Sequence, residues 1–295
     1  MITINHILCP TDLTRDADEA LRYALALVRA YGAKLTVFTW AKDLAPAGTL
    51  SRQKMGESLK IRVEESLYRH LRVGDMSKLD WQFLLSDEGR EPAEAISREA
   101  SERGVDLIVM RSRRRPVAAA LLGSTAEAVT RSAPCSVLVT HPHEREWVGA
   151  STGEIGISRV LIAHDFSEYA ETALGYGLSL AQEYQAELHL LHVCAPPDDG
   201  GSEIAWSPEA TEGAYHQAAR RLQGIVPPEA HLWCEVKTAV RWGKPHREIL
   251  AYIDENQIDL VCMGAHGSGS YMRALLGSNV DRVLRRTSCP VLVAR

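Results

Sequence analysis

Apolar and polar positions alternate between two periods along this chain. A short apolar run, Ile7–Cys9, precedes a stretch in which Ala17, Ala20, Leu21, Ala24, Leu25 and Val28 fall on one face at a 3.6-residue period, the mark of an amphipathic helix. Thr14 stands where a helix N-cap is expected, and Ser167 stands at the matching place later in the chain. Further β-rich runs lie near 34–40 and 187–193, near 81–86 and 232–238, at Asp106–Met110 and Asp259–Met263, and at 136–140 and 290–294. Between them the pattern predicts helices at 92–103, 245–256, 124–132 and 278–286, with one more helix inside each of the longer segments 41–78 and 194–230. Short apolar strands separated by helices imply parallel sheets covered on both faces, joined by right-handed crossovers.

The pattern occurs twice. Residues 6–40 and 159–193 align without a gap and share 11 of 35 positions, among them Asp12/Asp165, Tyr23/Tyr176 and Leu35/Leu188. Residues 123–139 align with 277–293 in the same way. The fold class follows: α/β, two repeated doubly wound domains of five parallel strands each, at 1–146 and 154–295. The polar, glycine-containing stretch 141–156 reads as the linker, with His141 and His143 solvated in it.

Composition narrows the function. The chain has 295 residues, 45% hydrophobic and 24% charged, as expected of a globular protein. No run of about 18 apolar residues suggests a membrane span, and the N-terminal residues do not resemble a secretory signal. A net charge of −5 argues against a nucleic-acid partner. The six cysteines form no C-x-x-C pair, which fits reduced thiols in a cytoplasmic protein.

In doubly wound sheets, ligands bind beyond the carboxyl ends of the strands. Three segments of the second copy are expected there: Ala163-His164-Asp165, His192-Val193, and the loop 263–279. The loop reads Gly264-x2-Gly267-x9-Gly277-Ser278-Asn279. Its glycines permit positive φ and close approach of backbone N–H groups to an anion. Gly277-Ser278 then opens a helix whose first N–H groups lack partners. The pattern reads as a phosphate cradle. Asp165 also has a plainer reading, as an acceptor for N–H groups in a strand-to-helix turn. His164, His192 and His266 fall near the same place, but without a known geometry they make a weak metal site. No G-x-S-x-G elbow and no G-x-x-x-x-G-K-[ST] loop occurs.

These motifs resemble the universal stress protein family in its tandem two-domain form, over nearly the whole chain. The resemblance implies strand order 3-2-1-4-5, pairing of the two domains as an intramolecular pseudo-dimer with further homodimerisation open, and ATP binding with Mg²⁺. It places Asp165 at the ribose or adenine, Val193 against adenine and Gly264 near the ribose. It places Gly267, Gly277, Ser278 and Asn279 at the phosphates. Ala163, His164, Met263, His266 and Val280 fall at flanking positions. The first copy keeps Asp12 and Gly123-Ser124, but Arg111 and Arg114 stand where Gly264 and Gly267 stand. Nucleotide binding is therefore expected mainly in the second copy, in a stress-response or regulatory protein. The alternatives are a slow ATPase or phosphotransferase, and an interaction protein that holds no nucleotide. An anion gripped by Arg111, Arg113, Arg114 and Arg115 is a separate option for the first copy.

Overall fold

The computed structural model describes residues 2–41, 52–71, 76–87, 89–112, 122–142, 144–149, 153–194, 208–267 and 276–295. The chain divides into two compact units, Thr3–Gly156 with Arg295, and Ile157–Ala294 with Met1–Ile2.

The first unit contains β1 (His6–Pro10), α1 (Arg15–Tyr31), β2 (Lys34–Trp40), α2 (Arg52–His70), β3 (Trp81–Ser86), α3 (Pro92–Glu102), β4 (Leu107–Arg111), α4 (Ser124–Ser132) and β5 (Ser136–Thr140). Its strands are parallel, in the order β3-β2-β1-β4-β5. Ile7, Leu8 and Cys9 are wholly buried, as are Val137 and Val139, so both faces of the sheet are covered. Helix α1 packs on β1 and β4, and α3 packs on α4.

The second unit repeats the plan with β6 (Arg159–Ala163), α5 (Glu168–Tyr184), β7 (Glu187–Cys194), α6 (Pro208–Gly224), β8 (Val236–Trp242), α7 (Pro245–Glu255), β9 (Leu260–Gly264), α8 (Ser278–Leu284) and β10 (Val291–Ala294). Its order is β8-β7-β6-β9-β10, again all parallel.

Local chemistry fixes the ends of these elements. Thr14 and Ser167 cap α1 and α5, each side chain accepting the N–H of the residue three further on, Ala17 and Ala170. Helix α1 ends on Gly32 at φ +63°, and α5 ends on Gln185 at φ +51°. Asp106 and Asp259 staple the starts of β1 and β6, each carboxylate accepting two consecutive backbone N–H groups.

Two expectations from sequence are corrected. The strand expected near 232–238 is Val236–Trp242. Before it, Leu232 ends a short 3-10 turn, Pro228–Leu232, and is 84% exposed, and Trp233 is the C-cap of that turn. The register shows a small insertion here: Leu188 pairs with Val236 where Leu35 pairs with Trp81. The described residues of the stretch 141–156 are likewise no solvated linker. His141, Trp147 and Val148 are buried, and Val148 bridges Ile155 in antiparallel fashion. The Trp147 ring meets Tyr23 of α1 edge-on at 4.7 Å. Arg22 of α1, itself buried, holds Glu146 at 2.9 Å and donates to the Val148 carbonyl. His143 lies outside the described residues.

Candidate functional site

The site in the second unit is built from three strand ends. After β6 the chain turns sharply through Asp165, and Phe166 adopts φ +63°. Leu13 adopts φ +60° at the matching place in the first unit. Such angles are costly for residues with large side chains. The turn is held by Asp165, whose Oδ1 accepts both the Ser167 N–H at 3.1 Å and the Ser167 hydroxyl at 2.6 Å. Asp12 does the same for Thr14 at 3.0 and 2.6 Å. The plainer reading of Asp165 as a turn acceptor is therefore realised in both copies.

His164 is buried, and its backbone N–H donates to the Leu191 carbonyl. Its Nδ1 accepts the Phe166 N–H at 3.1 Å, and its Nε2 lies 3.4 Å from Glu171. Burial holds its pKa below the ordinary 6.5, against the opposing pull of Glu171 and Asp165. From β7, His192 donates through Nδ1 to the His164 carbonyl at 2.8 Å. Its ring lies 4.6 Å from that of Phe166, and the Arg221 guanidinium of α6 covers the Phe166 ring at 3.9 Å. Val193 follows in β7, paired with Arg241.

The third strand end carries the glycines. A Cβ on Gly264 would lie 2.7 Å from the Tyr169 carbonyl carbon and 2.9 Å from the Ala170 nitrogen, so only glycine lets the first turn of α5 rest on β9. A Cβ on Gly267 would lie 2.8 Å from Oδ2 of Asp165. The loop is closed at its base by Gly277, which donates to the Ala265 carbonyl at 2.9 Å. None of Gly264, Gly267 and Gly277 has positive φ. The sequence reading gave these glycines a conformational role, but what they supply is room. Gly277 is the N-cap of α8 with no side-chain cap bond, and Ser278 is the first helical residue.

The other expected residues are placed as follows. Ala163 ends β6, and Met263 and Val280 are buried. His266 is buried, with its ring 4.9 Å from that of Tyr169. The side chain of Asn279 is hydrogen-bonded to His246 of α7. Among the described residues, no group of three His, Cys, Asp or Glu side chains is arranged to hold a metal ion. Sequence reasoning missed Ser167 as a site residue. It links the two loops, bonded to Asp165 and donating to the His266 carbonyl at 3.4 Å. Its N-cap position was the available signal. It also missed Phe166 and Arg221, whose contact depends on which way α6 faces. Residues 268–275 lie outside the described residues, as do Arg113, Arg114 and Arg115.

The family model described as "Universal stress protein family" matches twice, over residues 3–141 and 156–295. A universal stress protein of Methanocaldococcus jannaschii is 27% identical over 144 residues, covering 48% of this chain and 85% of that protein. One from Thermus aquaticus is 30% identical over 142 residues, covering 46% and 97%. Among solved structures, a universal stress protein from Archaeoglobus fulgidus matches with a TM-score of 0.68 and 24% identity, covering 99% of this chain and 97% of that one. This last likeness concerns the fold.

Proposed function

The chain belongs to the universal stress protein family, as two tandem copies of its domain, and from that premise we propose that it binds ATP in the second unit and serves in stress response or regulation through that bound state. The observation that carries this reading is the pair of glycines that leave no room for a Cβ: Gly264 against α5 and Gly267 against Asp165. They let the backbone at Gly264 pass against the first turn of α5 and the backbone at Gly267 pass against the Asp165 carboxylate, where a side chain would otherwise sit. A polyphosphate bound there takes its donors from backbone N–H groups near Gly267 and from Ser278 at the start of α8. Asp165 and Val193 lie toward the ribose and base, and Mg²⁺ accompanies the phosphates. Occupancy stabilises the fold by mass action, which makes the protein a reporter of nucleotide level.

The test is calorimetric titration of ATP into the whole protein and into a Gly277→Val, Ser278→Ala variant. A Cβ on Gly277 already comes within 3.3 Å of the Ala265 carbonyl, so valine pushes the loop base apart, and the serine change removes a donor. The variant is expected to lose at least about a hundredfold in affinity, in line with two or more lost charge-assisted bonds. Wild-type affinity in the variant refutes the assignment.

A further inference from the structure

The first unit has a cavity of about 670 Å³ beyond the carboxyl ends of β1, β2 and β4, a volume suited to a small organic ligand. Its apolar wall includes Phe38, Trp40 and Met110. Trp40 occupies the place that Val193 holds in the second unit, so an indole face replaces an isopropyl group. Arg111 also lines the cavity, at the place of Gly264. The matching glycine of the second unit has no room for a Cβ beside α5. The Nε and Nη1 atoms of Arg111 are buried and have no hydrogen-bond partner among the described residues. Two buried guanidinium nitrogens left without acceptors are destabilising, and an oxyanion in the cavity would supply the missing acceptors. The same cavity is lined by Ser124 and Thr125, in the first turn of α4, whose N-cap Gly123 makes no side-chain cap bond. Two kinds of donor, a guanidinium and a helix start, thus line one pocket with an aromatic wall.

The geometry points to a second ligand site, in the first unit, for a ring-bearing small molecule with a single terminal oxyanion, carboxylate or phosphate monoester, held by the side chain of Arg111. The ring lies against Trp40 and Met110, and the oxyanion lies between Arg111 and the start of α4. The exposed carboxylates of Asp12 and Asp16 also border the cavity, and they repel a polyanion more than a ligand with one charged group. The third acid there, Glu127, is paired with Arg131 at 2.9 Å. The site therefore differs from the second unit's in its recognition: a side-chain cation and an aromatic wall in place of a glycine-lined backbone.

The test uses the full chain carrying Gly277→Val, so that the second unit's loop is disabled, with phenyl phosphate and benzoate as probes and phenol as the neutral control. Titration by calorimetry, with saturation-transfer NMR for weak binding, is expected to show at least one of the two anions binding about tenfold or more tighter than phenol. Arg111→Met should remove that preference, a loss of at least about tenfold as for one charge-assisted bond. Whichever of phenyl phosphate and benzoate binds more tightly identifies the oxyanion. Without ligand, Arg111→Met is expected to melt at or above the parent temperature, because it removes buried nitrogens that lack acceptors. Three results overturn the proposal: both anions binding no better than phenol, unchanged anion affinity in Arg111→Met, or a lower melting temperature for that variant, which makes Arg111 a packing residue.

Discussion

Gly264 and Gly267 look alike in sequence, but the atoms they face differ, and so do the expected consequences of filling them. A methyl group on Gly264 meets the backbone of Tyr169 and Ala170, which cannot move without shifting α5. Gly264→Ala is therefore expected to destabilise the second unit by about 1–3 kcal/mol, the usual cost of overpacking, read as a lower urea midpoint at unchanged slope. A methyl group on Gly267 meets the end of the Asp165 side chain, which can rotate. Gly267→Ala is expected to leave the midpoint within about 0.5 kcal/mol while weakening ATP binding at least about tenfold by calorimetry. If both variants lose the same stability, the loop is a packing device rather than a ligand cradle. The glycine spacing was legible in the sequence because it stands in a fixed place after a buried strand. The reason for each glycine was not, since it depends on the distance from β9 to α5. Asp165 was only half legible. Its turn-capping role is common to Asp12, and its place beside Gly267 emerges only when the two loops meet.

At the scale of elements, α1 and α5 could be read with their caps because their apolar faces repeat at helical period and Thr14 and Ser167 precede them. The end of the first copy could not, since Trp147, Val148 and Ile155 are the few large apolar residues in a polar, glycine-containing stretch and fall at no helical or strand period. In the structure, residues 144–149 and Gly153 strap part of α1. Trp147 packs on Tyr23, Arg22 is shared between Glu146 and the Val148 carbonyl, and Arg29 donates to the Gly153 carbonyl. Trp147→Ala is expected to cost the first unit about 3–5 kcal/mol, as for a buried aromatic truncated in a core. The check is hydrogen exchange: amides of α1 should lose protection while those of α5 do not. A cost below about 1 kcal/mol returns the stretch to the status of a linker. The misplaced strand has a similar origin. The apolar letters of Leu232, Trp233 and Cys234 imitate a strand start, but Pro227 and Pro228 favour a 3-10 turn and leave Leu232 in solvent.

Across the whole molecule, charge is divided unevenly, and titration is the property it governs. Residues 1–147 carry 21 Lys and Arg against 20 Asp and Glu, while residues 148–295 carry 12 against 18. The modest total of −5 conceals this split, and four of the first half's arginines fall in its degenerate loop. Both units nevertheless share one response to acid. Burial lowers the pKa of His6 and His70 in the first unit and of His164, His189 and His246 in the second, in each case as the largest influence and against an ordinary value of 6.5. A histidine with a lowered folded-state pKa takes up its proton in the unfolded chain first, so stability is fully present above 6.5 and declines as pH falls toward the folded value. The melting temperature is therefore expected to drop between about pH 7.5 and about pH 5.5, above the range where carboxylates contribute. For a single position, His189 offers a clear case. It is buried beneath Tyr252, whose hydroxyl lies 2.8 Å from its Nδ1, and the nearby Glu187 only partly offsets the cost of charging it. His189→Gln retains a polar group for Tyr252 but cannot take up a proton, so it should flatten the acid limb of the second unit's stability curve. It should lower stability at pH 8 by only about 1 kcal/mol, through imperfect packing. An acid limb as steep as the wild type's would show that His189 is not among the groups that set it.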